Sequence, residues 1–140
     1  MFLSLSFSHR FFRKNPYFQD LFPNLKNLKG EQDMLHSAAF EIQAMAILGV
    51  YDDVILNLDK DLETTITKLE DVAKLHTKLD DFDGDFFQYM EDPMIEALRE
   101  KLWEQFGPQE EKLMRSLLSW VHEIMAAESA AIAYSLIPGD

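Results

Sequence analysis

The chain has 140 residues, the length of a single domain, and its 47% hydrophobic content argues against a disordered chain. It has no cysteine, which excludes disulfide scaffolds, thiolate catalysis, zinc fingers and iron–sulfur clusters. The net charge of −12 makes nucleic acid an unfavourable partner. No apolar run approaches the roughly 20 residues that span a membrane. The opening MFLSLSFS is a poor signal peptide, so we expect a cytoplasmic protein.

The first thirty residues are basic, with five Lys and Arg against one acidic residue. Pro16 and Pro23 interrupt this segment, so the cations do not form a helical stripe. We therefore expect them to be solvated charges at helix ends.

Helical periodicity of apolar residues runs through three long segments in chain order. Residues 31–58 are expected to form one unbroken helix after Gly30. Residues 84–104 carry Pro93 inside the pattern, so this helix should kink or restart there, at a cost of about 3 kcal/mol. Residues 108–134 form the last helix, with Pro108 at its first position, where a missing N–H costs nothing. The sequence predicts an all-α fold of about six helices with short connections.

Four histidines are the remaining candidates for chemistry, because no nucleophile turn, phosphate loop or Glu-x-x-His pair is present. His9 and His122 each lie beside a charged residue, and we interpret them as surface or boundary residues. His36 lies near the start of the long helix, in whose N-terminal turn we expect it. His76 differs, because it follows an apolar helical face that directs it inward.

The order of these features resembles the globin family over about residues 9–134. FFRKNPYFQDLF resembles the passage across the B and C helices, in which a proline starts a short helix and a phenylalanine, here Phe22, packs flat on the haem. DVAKLH resembles the segment of the F helix that ends in the iron-binding histidine. FGPQEEKLMRSLLSWVHEIM resembles the turn into the H helix. The resemblance is closer to invertebrate globins than to vertebrate ones.

This resemblance implies a haem b cofactor with His76 as the proximal ligand of the iron. The second ring nitrogen of His76 should donate to the carbonyl of Val72, one turn back. The distal position falls on Gln43, an N–H donor for O2 that does not titrate, and Ile47 lies one turn later on the same side. The further residues implied to contact the haem are Phe22, Val72, Phe82, Phe87 and Met90.

His36 is the alternative distal residue. It would lie 40 residues before His76, whereas Gln43 lies 33 residues before it. The longer separation fits the family poorly, and it would place Phe40 rather than Ile47 one turn on. We therefore prefer Gln43.

The start of the chain departs from the family pattern. A globin has a first helix and a full second helix before the region of Pro16, whereas this chain has fifteen residues there. We expect one globin domain over residues 1–140 that lacks the first helix and part of the second, with an atypical start at 1–8 and a C-terminal tail at 135–140. Ser8 falls at the inner B-helix position beside the ligand, where the family normally has a bulkier residue.

The function implied by the resemblance is reversible binding of O2 at a ferrous haem iron, in oxygen transport or storage. The partners implied are O2, CO and NO, and no catalytic residue is assigned. Two alternatives remain open. One is a haem enzyme of globin fold, a nitric-oxide dioxygenase or a peroxidase-like protein. The other is a haem-free helical interaction module derived from a globin. The oligomeric state does not follow from the sequence.

Overall fold

Six α-helices make up most of the chain in a computed structural model that describes residues 2–139. They are α1 (Phe2–Lys14), α2 (Gly30–Leu35), α3 (Ala38–Asn57), α4 (Leu62–His76), α5 (Glu91–Leu102) and α6 (Pro108–Ser135). Short 3₁₀ segments cover Pro16–Leu21, Gly84–Met90 and Trp103–Gln105. No strand occurs between residues 2 and 139, so the predicted all-α class is confirmed. None of the helices in this range combines the length and the apolar character needed to cross a membrane.

The predicted long helix at 31–58 is wrong as a single element, because it is interrupted between α2 and α3. Ser37 is the N-cap of α3, and its hydroxyl oxygen accepts a hydrogen bond from Phe40 N at 3.2 Å. This bond satisfies one of the free N–H groups in the first turn. His36 instead ends α2, with its Nδ1 2.8 Å from the carbonyl oxygen of Gln32. The expected role of His36 in the first turn of the long helix is therefore also wrong.

Pro93 lies in the first turn of α5, which begins at Glu91 directly after the 3₁₀ segment. The predicted restart of the helix is thus confirmed. The predicted energetic cost is wrong, because the N–H groups of a first turn have no partner within the helix and proline removes nothing there.

The start of the chain is a regular helix in the core. Phe7, Phe11 and Phe12 of α1 are buried, and Phe11 stacks on Phe18 of the next segment at 5.4 Å between ring centroids. Each such side chain contributes about 1.5–3 kcal/mol through burial. Residues 2–8, the expected atypical start, lie in an amphipathic helix that packs against α3 and α5. Met1 and Asp140, the outer ends of the expected atypical start and tail, lie outside the described residues.

Two cations of α1 form ion pairs with α5. Arg10 binds Glu100 and lies 3.6 Å from Glu96, and Lys14 also binds Glu96. The expectation of solvated charges is therefore wrong for Arg10 and Lys14, which lie one turn apart and face the same helix. Because these pairs are partly exposed, each contributes at most about 1 kcal/mol. Their larger effect is to favour one orientation of α1 on α5.

Gly84 packs so closely on α6 that a side chain does not fit. A Cβ atom there would lie 2.8 Å from Ser129 Cβ and 3.2 Å from the carbonyl oxygen of Ala126. Gly84→Ala should lower the free energy of unfolding by about 1–3 kcal/mol through overpacking. The matched control is Gly49→Ala, in the middle of α3, where no atom lies within 4 Å of the new Cβ.

The control should raise the stability by about 0.5–1 kcal/mol, because alanine loses less backbone entropy than glycine in a helix. Urea denaturation of the two variants measures both effects. If Gly84→Ala and Gly49→Ala changed the free energy of unfolding in the same direction, this account of the contact between Gly84 and α6 would be wrong.

Candidate functional site

His76 is the last residue of α4, and one of its ring nitrogens is already engaged. Its Nδ1 lies 2.8 Å from the carbonyl oxygen of Val72, as expected from the sequence. A carbonyl oxygen only accepts, so Nδ1 carries the proton and Nε2 keeps a free lone pair. Nε2 has no hydrogen bond to any residue between 2 and 139. The imidazole is thus held in the tautomer that suits a metal ligand.

Aromatic rings surround His76. The ring centroids of Phe82 and Phe87 lie 5.4 and 5.2 Å from that of His76, and 5.2 Å from each other. These rings pack on the imidazole and limit its rotation. The side chains of Phe22 and Met90 line the same cavity. The other residues of the cavity wall, all apolar, are Phe11, Phe18, Leu21, Leu79 and Phe86.

The structure brings together five of the eight residues expected to contact a haem, since Phe22, His76, Phe82, Phe87 and Met90 line one cavity. The other three lie outside its wall. Val72 contributes its carbonyl to His76. Gln43 and Ile47 lie half-buried on α3, four residues apart.

The helix that carries Gln43 reaches the cavity through a series of aromatic contacts. Phe40 of α3 lies 6.1 Å from Phe12, which lies 5.3 Å from Phe22 at the cavity wall. Ser8, one turn before Phe12 on α1, is buried, and its hydroxyl has no partner among the described residues. His36, the alternative distal residue, is exposed at the end of α2.

The donor chemistry of this site suits a haem group, whereas its enclosed volume is too small. A free imidazole nitrogen in an apolar, aromatic cavity is the environment that a haem iron and its macrocycle require. The cavity encloses about 20 Å³, whereas ligand pockets usually hold about 300–1,000 Å³. Phe22, Phe82 and Phe86 are half-buried at its edge. Insertion of a macrocycle therefore requires these rings to move outward.

A buried polar pair lies next to this cavity, and the sequence interpretation missed it. His122 was expected at the surface or a boundary, but it is only 3% exposed. Its Nε2 lies 2.7 Å from the hydroxyl oxygen of Tyr51, and that oxygen lies 3.3 Å from Met90 Sδ. Burial lowers the pKa of His122 to about 4 and raises the pKa of Tyr51 above its usual value. Both side chains are therefore neutral at pH 7.

The signal for a buried His122 was present in the sequence. Leu118, Val121 and Met125 are buried on the same face of α6, and His122 falls between them at helical spacing. The glutamate that follows His122 in the chain points to another side of the helix, so it was a poor guide to the position of the histidine.

Comparisons with known proteins identify the family and the fold of this chain. The family model described as Globin matches residues 5–125. A search of curated proteins gives no significant match. A similar solved structure is a hexacoordinated heme protein from an anhydrobiotic tardigrade, with a TM-score of 0.85 and 23% sequence identity. The match covers 91% of this chain and 81% of the tardigrade chain. At this level of identity the likeness concerns the fold.

Proposed function

Because the chain belongs to the globin family, we propose that it binds haem through His76 and binds O2 reversibly, as an oxygen carrier or store. The observation that carries the proposal is the state of His76. Its Nδ1 is engaged with the carbonyl of Val72, and the ring lines an aromatic cavity with its Nε2 lone pair free. A histidine in this state is ready to coordinate iron without losing a proton.

The residues around His76 have separate roles in this proposal. The carbonyl of Val72 accepts from Nδ1, which orients the ring and raises the basicity of Nε2. The rings of Phe22, Phe82 and Phe87, which line the cavity, would pack on a bound haem and exclude water from it. When bound, ferrous haem supplies the site for O2 and for the related ligands CO and NO. The chain has no cysteine for a thioether attachment, which supports haem b, the form that is not covalently bound.

Gln43 is the proposed hydrogen-bond donor to O2. Its side chain is half-buried on α3 and has no hydrogen bond to the described residues. An amide N–H is therefore free for a ligand that carries partial negative charge. Ile47, one turn later, adds an apolar wall on the same side. Because an amide does not titrate, O2 affinity should not change with the protonation of a distal residue.

Reconstitution with haem is the first test of this function. A Soret band that titrates to one haem per chain, followed by reversible O2 binding, is the expected result. The absence of a Soret band would favour the haem-free helical module, which the small enclosed volume of about 20 Å³ supports. A Soret band together with rapid turnover of NO or peroxide would favour the haem enzyme.

The role of Gln43 can be tested by ligand kinetics. Gln43→Leu should raise the O2 dissociation rate by roughly tenfold, because a hydrogen bond to a charged acceptor contributes about 1.5–3 kcal/mol. The dissociation rate of CO, which carries less charge, should change much less. Met45→Leu, an exposed position on the same helix, is the control and should alter neither rate. Equal effects of Gln43→Leu on O2 and CO would refute the donor role.

A further inference from the structure

A second cleft lies between the C-terminal half of α6 and the chain at residues 77–85. Its volume is about 340 Å³, whereas small-molecule sites usually have about 300–1,000 Å³. Ala126, Ala130 and Ala133 line the side formed by α6. They are four and three residues apart, so they share one face of the helix. Because these side chains are single methyl groups, they leave a space that larger residues would fill.

A hydroxyl group without a partner lies at the floor of this cleft. Ser129 lines the cleft and is only 4% exposed. Its Oγ has no hydrogen bond to any residue between 2 and 139. A serine within a helix can bond a carbonyl of the preceding turn, as Ser116 of α6 does with the carbonyl oxygen of Lys112 at 3.0 Å. Because Ser129 lacks such a bond, a ligand that donates to its hydroxyl would satisfy a buried polar group.

Two carboxylates lie at the rim of the cleft. Asp83 and Asp85 line it and are exposed. One oxygen of Asp83 accepts from the backbone N–H of Asp85 at 2.9 Å, but neither carboxylate forms an ion pair with a described residue. The rim therefore attracts a positive charge. A metal ion is a poor candidate, because no group of three or more His, Asp or Glu side chains in the described part of the chain is placed to hold one.

The carboxylates and the buried hydroxyl lie close together, and apolar side chains form the rest of the wall. Gly84, between the two aspartates, packs so closely on α6 that a Cβ atom there would lie 2.8 Å from Ser129 Cβ. Phe82 and Leu136 also line the cleft. Leu136 is 77% exposed, so an apolar ligand that covered it would remove apolar surface from water. The cleft thus combines negative charge, one free hydroxyl and an apolar wall.

We propose that this cleft binds a small organic ammonium compound with an apolar body, of the size of an arylalkylamine. The ammonium group lies beside the carboxylates of Asp83 and Asp85 and donates a hydrogen bond to Ser129 Oγ. The apolar body packs on Phe82 and Leu136. The cleft shares only Phe82 with the wall of the cavity beside His76, and the binding of the amine does not require haem.

Calorimetric titration of the purified protein with phenethylamine tests the proposal. Saturable binding with a Kd of about 1 mM or lower is expected for a ligand of this size. Phenethyl alcohol, which has the same body without the charge, should bind roughly tenfold more weakly, the effect of about 1.4 kcal/mol. Hydrocinnamate, which carries a negative charge, should not bind. Equal affinities for the amine and the alcohol would show that the carboxylates do not recognise the ligand, and would overturn the proposal.

Substitutions on α6 place the binding in this cleft. Ala130→Leu fills the cleft and should abolish the binding of phenethylamine. Ala131→Leu is the matched control, because Ala131 is exposed and lies outside the wall of the cleft, and it should leave the Kd unchanged. Ser129→Ala should weaken binding roughly tenfold, but it should not lower the urea midpoint of the ligand-free protein, because the lost hydroxyl has no partner there. No saturable binding of phenethylamine, or an unchanged Kd in Ala130→Leu, would overturn the proposal.

Discussion

His76→Ala is expected to abolish the Soret band of the reconstituted protein. The substitution removes the Nε2 lone pair, and among the described side chains that line the cavity no other has a nitrogen atom. Phe82 and Phe87 would still surround the pocket, but they offer only dispersion and no bond to iron. Absorption spectroscopy during haem titration of the wild-type and variant proteins measures the effect.

Two controls separate loss of the ligand from loss of packing. His36→Ala removes an exposed histidine and should bind haem like the wild-type protein. His76→Gly leaves a gap of about the size of an imidazole, so free imidazole should restore the Soret band if ligation is what was lost. A wild-type Soret spectrum in His76→Ala would show that another residue holds the iron.

Acid should destabilise the haem-free protein through His122. The pKa of this histidine is about 4 in the folded chain and 6.5 at its ordinary value. Above pH 6.5 the histidine is neutral in both the folded and the unfolded chain, so its titration does not change the stability there. Between pH 6.5 and 4 the unfolded chain binds a proton that the folded chain excludes. The free energy of unfolding therefore decreases as the pH is lowered through this range. At 1.36 kcal/mol per unit, the full loss is about 3 kcal/mol, and no further loss occurs below the folded pKa.

Urea denaturation of the haem-free protein between about pH 7.5 and 5, above the range where most carboxylates titrate, measures this dependence. His122→Gln should be less stable at neutral pH. Its free energy of unfolding should also decrease less steeply as the pH is lowered, because glutamine does not titrate. His36→Gln, at an exposed position, should keep the wild-type slope. If the free energies of unfolding of the wild-type protein and His122→Gln changed in parallel with pH, His122 would not be the source of the acid sensitivity.

Helical periodicity predicted the all-α class and the positions of the helical segments, but the ends of several elements were wrong. The break at residues 36–37 depends on a single hydrogen bond from Phe40 N to Ser37, a cap that the continuous apolar pattern concealed. Pro93 was assigned to the middle of a helix because the apolar spacing runs through Gly84–Met90. That segment is 3₁₀ helix, so the proline falls in a first turn and carries no penalty.

The parts of the site that could be predicted are local in the sequence. The bond from His76 to Val72 joins residues four positions apart on one helix, where the spacing alone brings the groups together. The clustering of Phe82 and Phe87 with His76 also follows from a short stretch of chain. By contrast, the roles of Gln43 and Ile47 depend on how α3 packs beside α4, and they remain predictions.

The sequence by itself therefore determined the helical class, the family and the hydrogen bond from His76 to the carbonyl oxygen of Val72. Each of these rests on residue order or on hydrogen bonds that span a single helical turn. Only the tertiary structure decided that Tyr51 meets His122, 71 residues later, and that Lys14 meets Glu96, 82 residues later. It also decided that aromatic rings close the cavity beside His76 to about 20 Å³. Such contacts depend on the relative positions of packed helices, which no spacing along the chain encodes.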